Sequence, residues 1–243
     1  MHVLPAASRK PPLVLIPGLI CDEALWRPQT EALPDVCSPS VADLTTGSSI
    51  DALADAVLAQ APARFALAGL SMGGYVAQAV VRRSPERVTH LALLDTSARP
   101  DTAEQQAARE SLIDLAERGR FREITELLLA RLIAPERLAD TALVETVLAM
   151  ERRFTAEVFI RQERAIIGRP DNRKRLGEIA APTLVLCGEQ DAITPPRVHA
   201  ELRDAIPHAQ LVVVPACGHL ATLERPAAVN AALRCWLARP GVT

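Results

Sequence analysis

The chain has 243 residues, enough for one domain or one domain carrying a large insertion, and long enough to bury a sizeable core. Its formal net charge is −2 and its Arg and Lys are scattered rather than massed, so a nucleic-acid-binding surface is not expected. Hydrophobic residues make up 49% of the sequence, yet no apolar run reaches the roughly eighteen residues of a membrane span, so no membrane partner is expected.

The opening, MHVLPAASRKPPLVLIPGL, does not read as an export signal. Its basic pair, Arg9 and Lys10, follows the first apolar residues, and the apolar run is broken by Pro17 and Gly18. The stretch PLVLIPG (residues 12–18) reads as a buried strand. Further strands are expected at VCSPSVADL (36–44), RFALAGLS (64–71), VTHLALLDT (88–96), TLVLCGEQD (183–191) and AQLVVVPACGH (209–219). Most are apolar at successive positions, as parallel strands covered on both faces must be. Pro39 inside the second run points to an edge strand. Helical spacing appears over residues 51–60, 72–83, 196–206 and 226–237. Strand–helix–strand order of this kind implies an α/β protein, a doubly wound and mostly parallel sheet.

Residues 99–178 break the rhythm, because no strand signal falls within them. Asp101 and Glu104 suggest a capping box. Four helical faces are expected: Leu112, Leu115 and Ala116; Phe121, Ile124, Leu127 and Leu128; Leu143, Val147, Met150 and Phe154; and Val158, Phe159, Ile166 and Ile167, with a stop at Gly168 and Pro170. Basic and acidic residues are equal in number here, so the segment is electrically balanced. The five cysteines are odd in number, widely spaced and without C-x-x-C, which points to reduced thiols packed in a cytoplasmic protein.

Chemistry concentrates at three places. FALAGLSMGGYV sets Ser71 in a G-x-S-x-G pattern after a buried strand and before a helix. Such a turn strains the serine backbone, and Gly69 and Gly73 remove side chains that would collide, leaving Ser71 as a candidate nucleophile aimed by a helix N-terminus. A serine needs a base. Of the five histidines, His2 is terminal, His90 begins a strand, and His199 and His208 flank a surface-type helix. His219 follows the last strand, at the sheet edge where Ser71 must lie. The acid that orients the base is Asp191, in GEQDAITPP, with Asp95 at the end of LALLDT as its rival; Glu189 is expected to face elsewhere. The chain order Ser71, Asp191, His219 suits this architecture. An oxyanion hole needs two N–H donors, expected from the backbone of Met72 and of Leu19.

PGLICDEALW, GLSMGG, GEQDAITPP and GHLATLERP together resemble the corresponding segments of small α/β-hydrolase-fold enzymes, the group that contains carboxylesterases and enol-lactone hydrolases. The likeness spans nearly the whole chain. It implies a core domain of residues 1–98 and 179–243 and a helical cap, or lid, of residues 99–178. Two features depart from the pattern: Pro17 stands where a histidine is usual, and the fold's first two strands are missing or reduced. The resemblance implies a serine hydrolase acting on a small or medium carboxylic ester or lactone. Perhydrolysis, acyl transfer, carbon–carbon bond hydrolysis and non-catalytic ligand binding are the alternatives, since a fold does not select among them. Candidate pocket residues are Ile20, Trp26, Tyr75, Phe154, Phe159 and Leu220, with Arg153 or Arg161 available for a carboxylate-bearing substrate. No motif for a metal or organic cofactor is present, and none sets the oligomeric state.

Overall fold

A computed structural model describes residues 10–242; the expectations for the first nine residues, His2 among them, lie outside it. The first strand, β1 (Pro12–Ile16), leads through α1 (Glu23–Ala32) to β2 (Ser38–Val41) and through α2 (Ile50–Gln60) to β3 (Phe65–Leu70). Helix α3 (Met72–Arg83) and strand β4 (Val88–Leu94) follow. Four helices come next: α4 (Ala103–Leu115), α5 (Ile124–Leu132), α6 (Thr141–Arg152) and α7 (Ala156–Ile167). The chain then returns to β5 (Thr183–Gly188), α8 (Pro196–Ala205), β6 (Gln210–Val214), α9 (Ala221–Glu224) and α10 (Pro226–Leu237).

The six strands form one all-parallel sheet in the order β2-β1-β3-β4-β5-β6. Alternation along the strands explains the two-sided core. Leu13 and Leu15 pack on one face with Leu25, Trp26 and Leu233. Val14 and Ile16 pack on the other with Leu53, Val57, Val76 and Val80. With helices on both faces, neither face of β1 or β3 carries a polar residue, and their sequence reads as a continuous apolar run. Pro39 sits on the edge strand, where a missing N–H breaks no ladder. The opposite edge, β6, is only half covered, and its Val213 is exposed.

The chain runs outward from β1 to β2, then returns to place β3 on the other side of β1. The strand order therefore reverses between β1 and β3, and at such a switch point the loops leaving the carboxyl ends diverge and open a crevice. The loops after those strands carry Gly18–Leu19–Ile20 and Ser71.

The helical insertion differs in detail from its sequence expectation. The capping box is Thr102 with Gln105, not Asp101 with Glu104. The Asp101 carboxylate is instead occupied by Arg109 (2.8 Å) and Arg169 (2.7 Å). Leu127 has helical spacing but is exposed, because α5 (Ile124–Leu132) turns Ile124, Thr125, Leu128 and Leu132 inward and leaves Leu127 off that face, while Phe121 precedes the helix in a short turn after a left-handed Gly119 (φ 79°). Phe154 lies beyond the end of α6. Among the described residues no helix is long and apolar enough to cross a membrane, and no strand precedes β1.

Candidate active site

Ser71 occupies a sharp strand-to-helix turn with φ 56° and ψ −117°, a conformation that costs about 1–3 kcal/mol for a residue with a side chain. The surroundings hold it there. Its N–H donates to Leu94 O (2.9 Å), and its carbonyl accepts from Thr96 Oγ1 (2.8 Å) and Gly74 N (2.9 Å). A Cβ on Gly69 would land inside the backbone of Gly73, and one on Gly73 would land on the carbonyls of Ile16 and Pro17. The second collision is with β1 rather than within the turn, so Gly73 is required by the close approach of α3 to the neighbouring strand. The Ser71 hydroxyl caps no helix N–H.

It meets His219 instead. Nε2 of His219 lies 2.9 Å from Ser71 Oγ, and Nδ1 lies 2.9 Å from each oxygen of Asp191. His219 and Asp191 are each 2% exposed. Asp191 also accepts from Ile193 N (2.8 Å), Thr194 N (2.9 Å) and Thr194 Oγ1 (2.7 Å). Burial by itself would raise the Asp191 carboxyl, but the facing imidazole and the Thr194 donors outweigh it and hold the group below the usual carboxylate range.

Asp95, the rival acid, does not reach the imidazole. It is fully buried at the end of β4, where Oδ1 accepts from Gly188 N (3.0 Å) and Oδ2 has no partner among the described residues. Burial, then the nearby Asp191 charge, push its carboxyl well above the ordinary range. Glu189 faces away and accepts from Ala216 N. His199 is fully buried rather than superficial; its Nε2 accepts from Thr96 N (2.9 Å), and burial lowers it to about 4. That contact explains its place: the peptide after Asp95 needs an acceptor in a dry interior.

The main-chain nitrogens of Leu19 and Met72 donate to no acceptor among the described residues. The next amide, Ile20 N, is held by Gln162 Oε1 (2.9 Å), while Gln162 Nε2 donates to Leu44 O (3.1 Å). Gln162 lies on α7, so the insertion shapes the loop after β1. Nothing in the local sequence around Gln162 signalled this.

A cavity of about 160 Å³ opens over Ser71. Ile20, Tyr75 and Leu220 line it as expected, together with Leu19, Leu128 and Met150. Trp26, Phe154 and Phe159 do not. Trp26, on α1, is buried against the sheet, and Phe159 packs on Phe121 (centroids 5.4 Å apart) in a cluster with Phe154 that reaches Ile20 of the loop after β1 from behind the cavity wall. Arg153 is paired with Asp22 and Arg161 bonds Thr45 O, so neither reaches the cavity. Arg109 and Arg131 do line it, and Arg109 is bound by Asp101 and Glu163. Cys21 lines it too, its thiol pushed up to about 12 by burial and then by Asp22. Among the described residues no cluster of three His, Cys, Asp or Glu side chains is arranged to hold a metal ion.

Comparison with known proteins adds a family to this geometry. The alpha/beta hydrolase family model matches residues 13–232. BpoC of Mycobacterium tuberculosis, assigned as a non-heme bromoperoxidase, is 32% identical over 178 residues, covering 71% of this chain and 67% of that protein. A pimeloyl-[acyl-carrier protein] methyl ester esterase of Nitrosomonas europaea is 25% identical, covering 89% and 91%. A thermophilic esterase from Thermogutta terrifontis superposes with a TM-score of 0.87 at 30% identity, covering 94% of this chain and 90% of its own.

The two acids are separable by experiment. Asp191→Asn is expected to lower turnover by up to ~10⁴-fold, whereas Asp95→Asn, which copies a neutral carboxyl, is expected to leave it near normal. Asp95 has a raised folded-state value against about 4 in the unfolded chain. The contribution of its carboxyl to stability is therefore complete below pH 4 and is lost progressively as pH rises above it. The urea midpoint of Asp95→Asn, relative to the parent, should climb between pH 4 and pH 7. A falling margin would mean that Asp95 is ionised in the folded protein.

Proposed function

The chain belongs to the alpha/beta hydrolase family, and within it we propose that the protein is a serine hydrolase that cleaves small to medium carboxylic esters or lactones through an acyl-enzyme. The observation that carries this reading is the continuous hydrogen-bonded line from Asp191 through His219 to Ser71 Oγ, each step 2.9 Å; the Leu19 and Met72 N–H groups, which have no acceptor among the described residues, are left as donors for an oxyanion.

In this reading Ser71 Oγ attacks the carbonyl carbon as its proton passes to His219 Nε2. Asp191 holds Nδ1–H and stabilises the resulting imidazolium, while the carbonyl oxygen, now negative, takes hydrogen bonds from Leu19 N and Met72 N. Collapse of the tetrahedral intermediate breaks the carbon–oxygen bond, and His219 returns its proton to the departing alkoxide. A water then attacks the acylated Ser71 with His219 as base, releasing the acid and restoring the hydroxyl. The dry setting of the His219–Asp191 pair strengthens these charge interactions relative to water. The esterase relatives support ester chemistry, and the apolar side chains over Ser71 suit an uncharged acyl chain. The likeness to BpoC favours a second reading, in which an acceptor other than water takes the acyl group from the same Ser71.

A fluorophosphonate should add one adduct to the intact protein, absent in Ser71→Ala, and that substitution should lower esterase turnover by on the order of 10⁴-fold or more. An adduct that survives Ser71→Ala would overturn the assignment. The insertion, in its proposed role as a lid, should set chain length through the residues that line the cavity. Met150→Ala and Leu128→Ala are expected to move the optimum among p-nitrophenyl esters to longer chains. Phe159→Ala should leave the optimum in place while costing about 3–5 kcal/mol of stability.

A further inference from the structure

The N–H groups of residues 218, 219 and 220 all have fixed acceptors. His219 N donates to Leu132 O at 3.0 Å. Gly218 N and Leu220 N, on either side, both donate to a single oxygen, Glu224 Oε1, at 3.0 and 3.2 Å. The second oxygen, Glu224 Oε2, accepts from Ala134 N at 2.8 Å. Glu224 is 1% exposed, and among the described residues no Lys or Arg side chain pairs with its carboxyl group. A carboxyl group this deep is retained only where donors satisfy it, and here three main-chain donors do.

Those donors come from two parts of the molecule. Gly218 and Leu220 flank His219. Ala134 lies in the segment between α5 and α6, and Leu132, whose carbonyl holds His219 N, ends α5. Arg137, in the same segment, donates to the Glu224 carbonyl. Leu132 also lines the cavity over Ser71, as do Thr125 and Leu128 from the same helix. The cavity wall and the main chain of His219 therefore meet at one buried side chain.

We propose that Glu224 is a positioning residue, which locks the two peptides flanking His219 and ties them to the α5–α6 segment so that the imidazole and the cavity wall are held as one unit. The proposal rests on reading His219 as the base. His219 must keep Nδ1 on Asp191 and Nε2 on Ser71 at the same time, and a pivot of about 1 Å in its loop is enough to lower turnover ~10²-fold. Glu224 touches neither substrate nor the reacting atoms; it acts through His219.

Two substitutions test this. Glu224→Gln keeps the shape but replaces one acceptor by an NH₂ group, which must face either Ala134 N–H or the pair at Gly218 and Leu220, so one side of the tie is lost whichever way the amide turns. Ala134→Pro removes the Ala134 N–H and sets the ring Cδ in its place, where it displaces Glu224 Oε2 from its 2.8 Å contact and so cuts the tie from the other side. The backbone angles there are those proline adopts, since Ala134 has φ −57° and Ile133 before it is extended at φ −121°, ψ 144°, so the change falls on the lost N–H and not on the chain path. Each variant is first shown to be folded by circular dichroism, then compared with the parent and with Ser71→Ala. With p-nitrophenyl butyrate, kcat should fall by ~10²-fold in Glu224→Gln and in the same direction in Ala134→Pro, with KM changed by less than about threefold. The rate of fluorophosphonate labelling at Ser71 should fall by a similar factor.

Folded variants that lose thermal stability but keep the parent kcat and labelling rate would overturn the proposal and leave Glu224 a structural residue. Should Glu224→Gln not fold, Ala134→Pro decides by the same criterion. An inactive Ser71→Ala beside parent-like kcat in the other two variants would remove this proposal alone. Full turnover in Ser71→Ala would remove both it and the reading it rests on.

Discussion

The close approach of α3 to β1 and β3 is the constraint on which the rest of the site depends. It leaves no space for a side chain at Gly69 or Gly73 and forces Ser71 to φ 56°. Because β1 and β3 flank the point where the strand order reverses, the same approach brings the loop that carries Leu19 beside the turn that carries Ser71 and Met72, and the Leu19 and Met72 amides have no acceptor among the described residues. The strain at Ser71 is offset by the Leu94 and Thr96 bonds, which bring the neighbouring strand β4 and the loop after it into the same assembly.

Behind the serine lie three buried carboxyl groups, and each is accommodated differently. Asp191 faces an imidazole and gathers the Ile193 and Thr194 donors. Asp95 accepts from Gly188 N and has no close partner on Oδ2 among the described residues, and burial followed by the Asp191 charge raises its carboxyl. Glu224 is held by main-chain N–H groups alone. Burial and the Asp191 charge both oppose ionisation of Asp95, which favours keeping the charge on the acid that faces His219. Asp95 still has structural work, since its bond to Gly188 N ties the end of β4 to the end of β5, where the Asp191 loop begins.

The legibility of these features in the sequence follows how local each one is. The six strands and their parallel order were readable because apolar runs and helical periods alternate with short connections. The Ser71 turn was readable because its requirements lie within five residues. Asp191 and His219 were candidates by topology alone, as residues just past strand ends. Directions inside the insertion were not readable, because they depend on what packs against each helix. Leu127 keeps the helical period yet faces solvent, and Phe159 packs with Phe121, Phe154 and Ile20 rather than lining the cavity. Asp101 was drawn from its expected cap by Arg109 and Arg169, partners 8 and 68 residues away. Gln162 and Glu224 act through bonds to Ile20 and Ala134 that no short pattern encodes.

The central claim is that Ser71 carries an acyl group between the two halves of the reaction. Partitioning tests it without depending on which step is slow. p-Nitrophenyl, phenyl and ethyl butyrate are hydrolysed in the presence of a fixed concentration of methanol, and the ratio of methyl butyrate to butyric acid is measured for each. A common acyl-enzyme predicts the same ratio for all three, because the leaving group has departed before methanol and water compete. A ratio that changes with the leaving group would show that water attacks the ester directly, and would contradict the account.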